Sequence, residues 1–101
     1  MEFELSCRYD ARQSFYGKAV VRVDENENVL HLELLSYGTL VANYVKYKKE
    51  NREVFECFGK YSPTTIRHQK EFFRQLGLYE KDIQQLFKIG REEIKGVLVR
   101  E

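Results

Sequence analysis

The fold is decided by the stretch from Tyr61 to Gly77, Tyr-Ser-Pro-Thr-Thr-Ile-Arg-His-Gln-Lys-Glu-Phe-Phe-Arg-Gln-Leu-Gly. Ser62 suits the N-cap because its hydroxyl can accept an unpaired N–H of the first turn, and Pro63 suits the first helical position, where no N–H is needed. Gly77 can supply the left-handed residue that ends a helix, and Leu78 the hydrophobic contact that accompanies it. One face of the stretch is apolar, with Ile66, Phe72, Phe73 and Leu76. The stretch therefore predicts a helix over residues 63–76.

Upstream of this helix, apolar and polar residues alternate in short runs separated by turn-forming residues. In the first run, Ala19, Val21 and Val23 share one face. The pattern predicts an antiparallel meander of about four strands, at about 18–24, 29–35, 39–47 and 52–58. Downstream, a second short helix is predicted over about 80–89, closed by Gly90. The fold class is therefore α+β. Residues 1–17 carry only a weak alternation, and residues 94–99 fit either a last strand or an extended tail.

Length and composition point to one domain spanning residues 1–101. A chain of 101 residues that is 43% hydrophobic can bury about 65% of the surface its unfolded form exposes. Two cysteines, Cys7 and Cys57, do not resemble the disulfide framework of a small secreted protein, so we expect reduced thiols. No segment has the composition of a signal peptide or a membrane span. We therefore expect a cytoplasmic protein that is not in a membrane.

The charge is unevenly distributed along a chain whose net charge is only +1. Residues 46–74 contain eight basic and four acidic residues, which gives that segment a charge of +4. Aromatic side chains lie among these basic residues, and aromatic platforms beside cations are typical of proteins that bind single-stranded nucleic acid. An ordinary sheet surface has the same composition. The residues of this alternative nucleic-acid site would be Lys46, Tyr47, Lys48, Arg52 and Lys60.

No catalytic, cofactor or metal motif stands out. A zinc site would have to combine residues of four separate segments without any C-x-x-C or H-x-x-x-H spacing, namely Cys7, His31, Cys57 and His68. His68 has charged neighbours on its helix, but general acid/base catalysis needs a second positioned group, and no paired carboxylates or activated serine can be identified. We therefore predict a protein that is not an enzyme and has no metal or cofactor. A small nuclease or other enzyme centred on His68 is a third functional hypothesis, after protein binding and nucleic-acid binding.

The charged side of the predicted helix is the candidate surface for a protein partner. Tyrosine and arginine are the residues most enriched in interface hot spots, and both are frequent here. The predicted partner-binding residues are the exposed helix face, Arg67, His68, Lys70, Glu71 and Arg74, with Tyr37 and Tyr61 at its rim. An unpaired edge strand would also allow a homodimer.

Three blocks of the sequence resemble a family of small uncharacterised domains found in phages, plasmids and integrated elements of Gram-positive bacteria. The blocks are residues 14–20 (Ser-Phe-Tyr-Gly-Lys-Ala-Val), residues 35–42 (Leu-Ser-Tyr-Gly-Thr-Leu-Val-Ala) and residues 61–68 with 71–75. The resemblance spans about residues 9–78 in matching order. Where the family usually has a small residue, this chain has Pro63, which the first helical position tolerates.

The resemblance implies an accessory protein of a mobile element. Genes of that kind often encode inhibitors of host defence, including anti-CRISPR proteins, and this implication rests on association and not on any residue of the chain. The leading hypothesis is therefore a non-enzymatic protein that binds and inhibits a host protein, such as a CRISPR effector or another defence component. Single-stranded nucleic-acid binding is the alternative.

Overall fold

The computed structural model describes residues 1–59 and 62–95. Six strands and two helices follow one another along the chain. The strands are β1 (Glu2–Glu4), β2 (Ala19–Glu25), β3 (Val29–Ser36), β4 (Thr39–Tyr47), β5 (Arg52–Cys57) and β6 (Arg91–Lys95). The helices α1 (Pro63–Gln75) and α2 (Glu80–Ile89) lie between β5 and β6 in sequence.

All six strands form one antiparallel sheet in their sequence order. Both helices cover the same face, which we call the helix face; α1 contacts β3 and β4, and α2 contacts β5 and β6. The register places Val21, Leu34, Ala42 and Cys57 in neighbouring positions across four strands, so these side chains share the helix face. The opposite side, the open face, carries no helix.

The core lies between the helix face and the two helices. Phe55 of the sheet contacts Phe73 of α1, with ring centroids 6.4 Å apart. Ile83 and Leu86 of α2 are buried in the same cluster. Removing these large apolar side chains from water is the main favourable contribution to folding. Within residues 1–59 and 62–95, neither helix is long and apolar enough to cross a membrane.

The caps of α1 confirm the sequence prediction. The Ser62 hydroxyl accepts a hydrogen bond from the backbone N–H of Thr65 at 3.4 Å. At the other end, Gly77 has a φ of +95°. Its N–H donates to the carbonyl of Arg74, and the N–H of Leu78 donates to the carbonyl of Phe73. This double hydrogen bond is the Schellman motif, and it ends the helix at Gln75, one residue before the predicted end.

The sheet has six strands where the sequence predicted about four. The four predicted strands are present with small changes at their ends, β4 matches its predicted bounds, and α2 matches residues 80–89. β1 was missed, and β6 begins three residues before the segment for which a strand or a tail was predicted. Residues 96–99 of that segment lie outside the described residues.

Candidate binding site

A buried carboxylate attaches the N-terminal loop to α1. Glu71 is only 2% exposed. Its Oε1 accepts hydrogen bonds from the backbone N–H groups of Arg8, Tyr9 and Asp10, at 3.1, 2.8 and 2.8 Å. Its Oε2 accepts one from the Gln75 side chain at 2.7 Å. An ionised acceptor with this many donors makes strong hydrogen bonds. The carboxylate therefore holds residues 8–10 against the helix.

His68 lies under the same loop in a buried polar cluster. It is 1% exposed, and its Nδ1 is 2.7 Å from the Ser36 hydroxyl, which is also hydrogen bonded to Thr65. The Phe15 ring meets the imidazole edge-on, with centroids 4.5 Å apart. Burial lowers the pKa of His68, and the nearby positive charge of Arg12 lowers it further. His68 is therefore a core residue whose Nδ1 has a hydrogen-bond partner inside the protein.

A cleft of about 500 Å³ opens where the end of α1 meets the sheet. Two exposed tyrosines, Tyr9 from the loop and Tyr79 before α2, are 57% and 61% exposed and line it. Two cations also line it, Lys46 from β4 and Arg74 from the last turn of α1. The Arg74 guanidinium lies over the Tyr9 ring, 4.9 Å from its centroid. We call this the tyrosine cleft.

The two cations of the tyrosine cleft take part in no ion pair with the residues that the structure describes. Arg74 nevertheless acts on Glu80, because the hydrogen bond with Gln84 and the Arg74 charge both lower the pKa of that carboxylate. The carboxylate of Glu53 also lines the cleft, and it accepts a hydrogen bond from the Tyr44 hydroxyl at 2.5 Å. The cleft therefore combines positive charge with exposed aromatic surface.

A second groove of about 310 Å³ adjoins the cleft along α1. It shares Tyr9 and Arg74 with the tyrosine cleft, so the two form one continuous surface. Its other charges are paired across the groove. Arg67 is 3.8 Å from Asp10, and Lys70 is 3.6 Å from Glu80.

A model of one protein family matches residues 3–89, described as a family of unknown function (DUF8033). The match covers most of the chain, from β1 to the end of α2. The chain belongs to this family. No curated protein and no solved structure matches it.

In the DUF8033 chain, the side of α1 that the sequence predicted to be exposed is only partly exposed. Arg67 is exposed, and Lys70 and Arg74 are partly exposed. His68 and Glu71 are buried, so the expectation that they are exposed is wrong. The reason is that the segment from residue 6 to residue 15 contacts this side of α1 through its backbone and the Phe15 ring. Tyr37 is exposed beside His68, with ring centroids 5.8 Å apart. Tyr61 lies outside the described residues, and a role of this surface in binding stays a prediction.

The alternative nucleic-acid residues of the DUF8033 chain are divided between the two faces of the sheet. Lys46 is opposite Glu53 on the helix face, whereas Tyr47 and Arg52 are opposite each other on the open face. The Arg52 guanidinium is stacked 4.1 Å from the centroid of Tyr47 and is paired with Glu93 at 2.8 Å. Lys48 is paired with Glu25 at 2.5 Å. Lys60 lies outside the described residues. The four described residues therefore do not form one basic track.

The four residues considered for zinc do not converge. His31 is on the open face, where it is hydrogen bonded to Asn43, while Cys57 faces the helices. Both cysteines are free thiols, and burial raises the pKa of Cys57 to about 11. Across the part of the chain that the structure describes, no group of three or more His, Cys, Asp or Glu side chains could hold a metal ion.

Sequence reasoning missed three features of the tyrosine cleft. Tyr9 lies in the segment without an assigned structure, Tyr79 lies between the two predicted helices without a predicted role, and Lys46 is predicted only as part of the alternative nucleic-acid site. The alternation of β4 could have shown that Lys46 shares a face with the buried Tyr44 and Ala42. No pattern in the sequence around residues 8–10 indicates that their backbone contacts α1.

Proposed function

We propose that this DUF8033 protein is a non-enzymatic binding protein that acts on a host protein through the tyrosine cleft. The observation that carries the proposal is that exposed Tyr9 and Tyr79 line one concave site together with the cations Lys46 and Arg74. Tyrosine and arginine in partly enclosed positions are the side chains that most often dominate the energy of protein interfaces.

The contact between His68 and Ser36 bears on the choice between binding and catalysis, because histidine and serine can act as base and nucleophile. His68 and Ser36 are within hydrogen-bond distance, but they are only 1% and 3% exposed. A general base and a nucleophile must reach the substrate. Because Phe15 and α1 enclose the two side chains, we infer that they have a structural role in the core and not a catalytic one.

The resemblance to mobile-element domains directs the proposal toward a host protein. In that setting the protein would be a phage or mobile-element accessory protein that inhibits a component of host defence, in the manner of an anti-CRISPR protein. The cleft supports the binding class, and the resemblance alone supports the identity of the target.

An affinity pull-down from bacterial lysate tests the binding function. The wild-type protein, the double variant Tyr9→Ala with Arg74→Glu, and the control Lys81→Glu are immobilised and exposed to lysate with and without nuclease. Lys81 is an exposed cation outside both grooves. We expect a stoichiometric protein to be retained by the wild type and the control after nuclease treatment, and lost from the double variant.

Two results would contradict this proposal. Retained material that disappears on nuclease digestion would identify nucleic acid as the partner and return attention to the basic sheet residues. A partner protein that binds the double variant as well as the wild type would exclude the tyrosine cleft as the interface.

A further inference from the structure

We propose that the tyrosine cleft recognises an acidic peptide segment of its partner, with carboxylates bound by Lys46 and Arg74. This inference rests on the proposed binding function and specifies its chemistry. It concerns the charge and class of the ligand, which can be tested without knowing the host protein.

The first argument is the positive charge in the cleft, where the two cations outnumber the one carboxylate, Glu53. Each of the other charged helix residues near it already has a partner, since Arg67 is paired with Asp10 and Lys70 with Glu80. Lys46 and Arg74 have no such partner among the residues described. A carboxylate bound there would gain charge-assisted hydrogen bonds, and the guanidinium fork suits a carboxylate in a bidentate arrangement.

The second argument is that Glu53 in the cleft and Glu71 in the adjoining groove already accept hydrogen bonds. Glu53 accepts one from the Tyr44 hydroxyl. Glu71 accepts three from the backbone of residues 8–10 and one from Gln75. Among the described residues, no ion pair joins either carboxylate to Lys46 or Arg74. The two cations therefore leave the cleft positively charged toward an incoming anion.

The third argument distinguishes a peptide from nucleic acid. A nucleic acid carries a negative charge at every phosphate and needs a continuous basic track. Here the surface continues from the cleft into a groove lined by Asp10 and Glu80, so a second or third phosphate would meet carboxylates. A peptide can place its carboxylates at the cleft alone, offer backbone N–H donors to the groove, and pack its side chains on Tyr9 and Tyr79. The volume of about 500 Å³ is within the range of about 300–1,000 Å³ usual for ligand sites.

The test measures the binding of three fluorescein-labelled peptides by anisotropy. The peptides alternate tyrosine with glutamate, glutamine or lysine, and labelled oligo(dT) is measured beside them. We expect the Glu-Tyr peptide to bind at least about tenfold more tightly than the Gln-Tyr peptide, because a hydrogen bond to a charged group contributes about one to two powers of ten. Its affinity should fall as salt is raised, since salt screens the charge interaction.

Variants locate the interaction. Lys46→Gln and Arg74→Gln should each weaken binding of the Glu-Tyr peptide about tenfold, and Lys81→Gln should leave it unchanged. Glutamine is used because Lys46 is opposite Glu53 in the sheet, and a new carboxylate there would place like charges side by side. Thermal unfolding of each variant shows that the fold is retained.

The outcomes separate this inference from the proposed function. If the lysate yields a partner that depends on Tyr9 and Arg74 but the Glu-Tyr peptide binds no better than the Gln-Tyr peptide, acidic recognition is wrong and the binding function stands. If the Glu-Tyr peptide binds through Lys46 and Arg74 and the lysate yields no partner, the chemistry stands and the host-protein proposal falls. Tighter binding of oligo(dT) than of the Glu-Tyr peptide would overturn the inference in favour of nucleic acid.

Discussion

At the scale of single residues, Glu71 connects a loop that has no regular structure to the best-defined helix. Three successive backbone N–H groups that would otherwise need water converge on one carboxylate oxygen. Leaving buried donors unpaired costs free energy, so the charge of Glu71 stabilises the course of the loop. The same loop presents Tyr9 to the tyrosine cleft. A change in Glu71 should therefore affect both stability and binding.

The substitution Glu71→Gln should lower the free energy of unfolding by about 2 kcal/mol, because a neutral amide oxygen accepts hydrogen bonds less strongly than a carboxylate. Urea denaturation measures this loss. Hydrogen exchange should show faster exchange of the amides of residues 8–10, which donate to Glu71. The matched control is Glu27→Gln in an exposed residue of the β2–β3 turn, with an expected change below about 0.5 kcal/mol. Unchanged exchange at residues 8–10 would show that the loop does not depend on the carboxylate.

His68 predicts a dependence of stability on pH. Burial lowers its pKa in the folded state, so the unfolded chain takes up the proton first as pH falls. The contribution of His68 to stability is therefore complete above the unfolded pKa of about 6.5 and is lost progressively below it. The measurement is urea denaturation at several pH values, with His68→Gln as reference. We expect the difference in unfolding free energy between the two proteins to shrink from pH 7 to 5. A constant difference would contradict the burial of a neutral imidazole.

His68 and Glu71 also show what the sequence could not reveal at this scale. The period of α1 correctly separates Phe72 and Phe73 from the charged side. It cannot show that a distant segment covers part of that side, because the contacts to Glu71 join residues more than sixty positions apart. When a loop buries polar residues of a helix, the sequence of the helix carries no periodic sign of it. Only the tertiary structure shows such burial.

At the scale of elements, the β3–β4 hairpin shows how local chemistry fixes the register. Tyr37 and Gly38 form the whole loop between Ser36 and Thr39, and both have positive φ, at +51° and +80°. Two residues with positive φ are what the tight turns favoured by twisted hairpins require. The backbone N–H of Tyr37 donates to the carbonyl of Lys18 at 2.8 Å, so this turn also contacts the start of β2.

Replacing Gly38 tests the importance of this turn. A Cβ at Gly38 would have no atom within 4 Å, so Gly38→Ala changes only the backbone preference. We expect a loss of about 1–2 kcal/mol in the free energy of unfolding, which is the usual cost of left-handed backbone for an L-residue. Gly38→Asn should lose less, because asparagine tolerates this conformation. Urea denaturation of the three proteins checks the order, and equal stability of the Ala and Asn variants would contradict the turn geometry.

Elements with strong local signals could be predicted, and those without them could not. β4 and α2 have their predicted bounds because residues 39–47 are rich in β-branched and aromatic side chains and residues 80–89 have helical periodicity with a glycine stop. β1 has only three residues and no buried side chain, so its pairing with β2 depends on the sheet already being present. β6 is mostly charged, as edge strands often are, and charge hides its strand pattern.

At the scale of the whole molecule, both helices and the sheet share one apolar cluster. Phe55, Phe73 and Leu86 belong to different elements of it and are all fully buried. A small chain with one such cluster normally unfolds in a single cooperative step. The tyrosine cleft is built from the loop, β4, the end of α1 and the turn before α2, so we expect it to be lost in that same step.

Cys57 provides a probe of this cooperativity. Its thiol is buried at the end of β5 and burial raises its pKa to about 11, so the native protein should present almost no reactive thiolate at neutral pH. In a Cys7→Ser variant, which leaves Cys57 as the single thiol, alkylation should proceed at the rate for an exposed cysteine multiplied by the unfolded fraction. The free energy obtained from that rate should equal the value from urea denaturation. A much faster reaction would show that the end of β5 opens locally while the rest stays folded. Because residues of β4 and α1 line the cleft, hydrogen exchange would then have to show whether the cleft opens in the same local way.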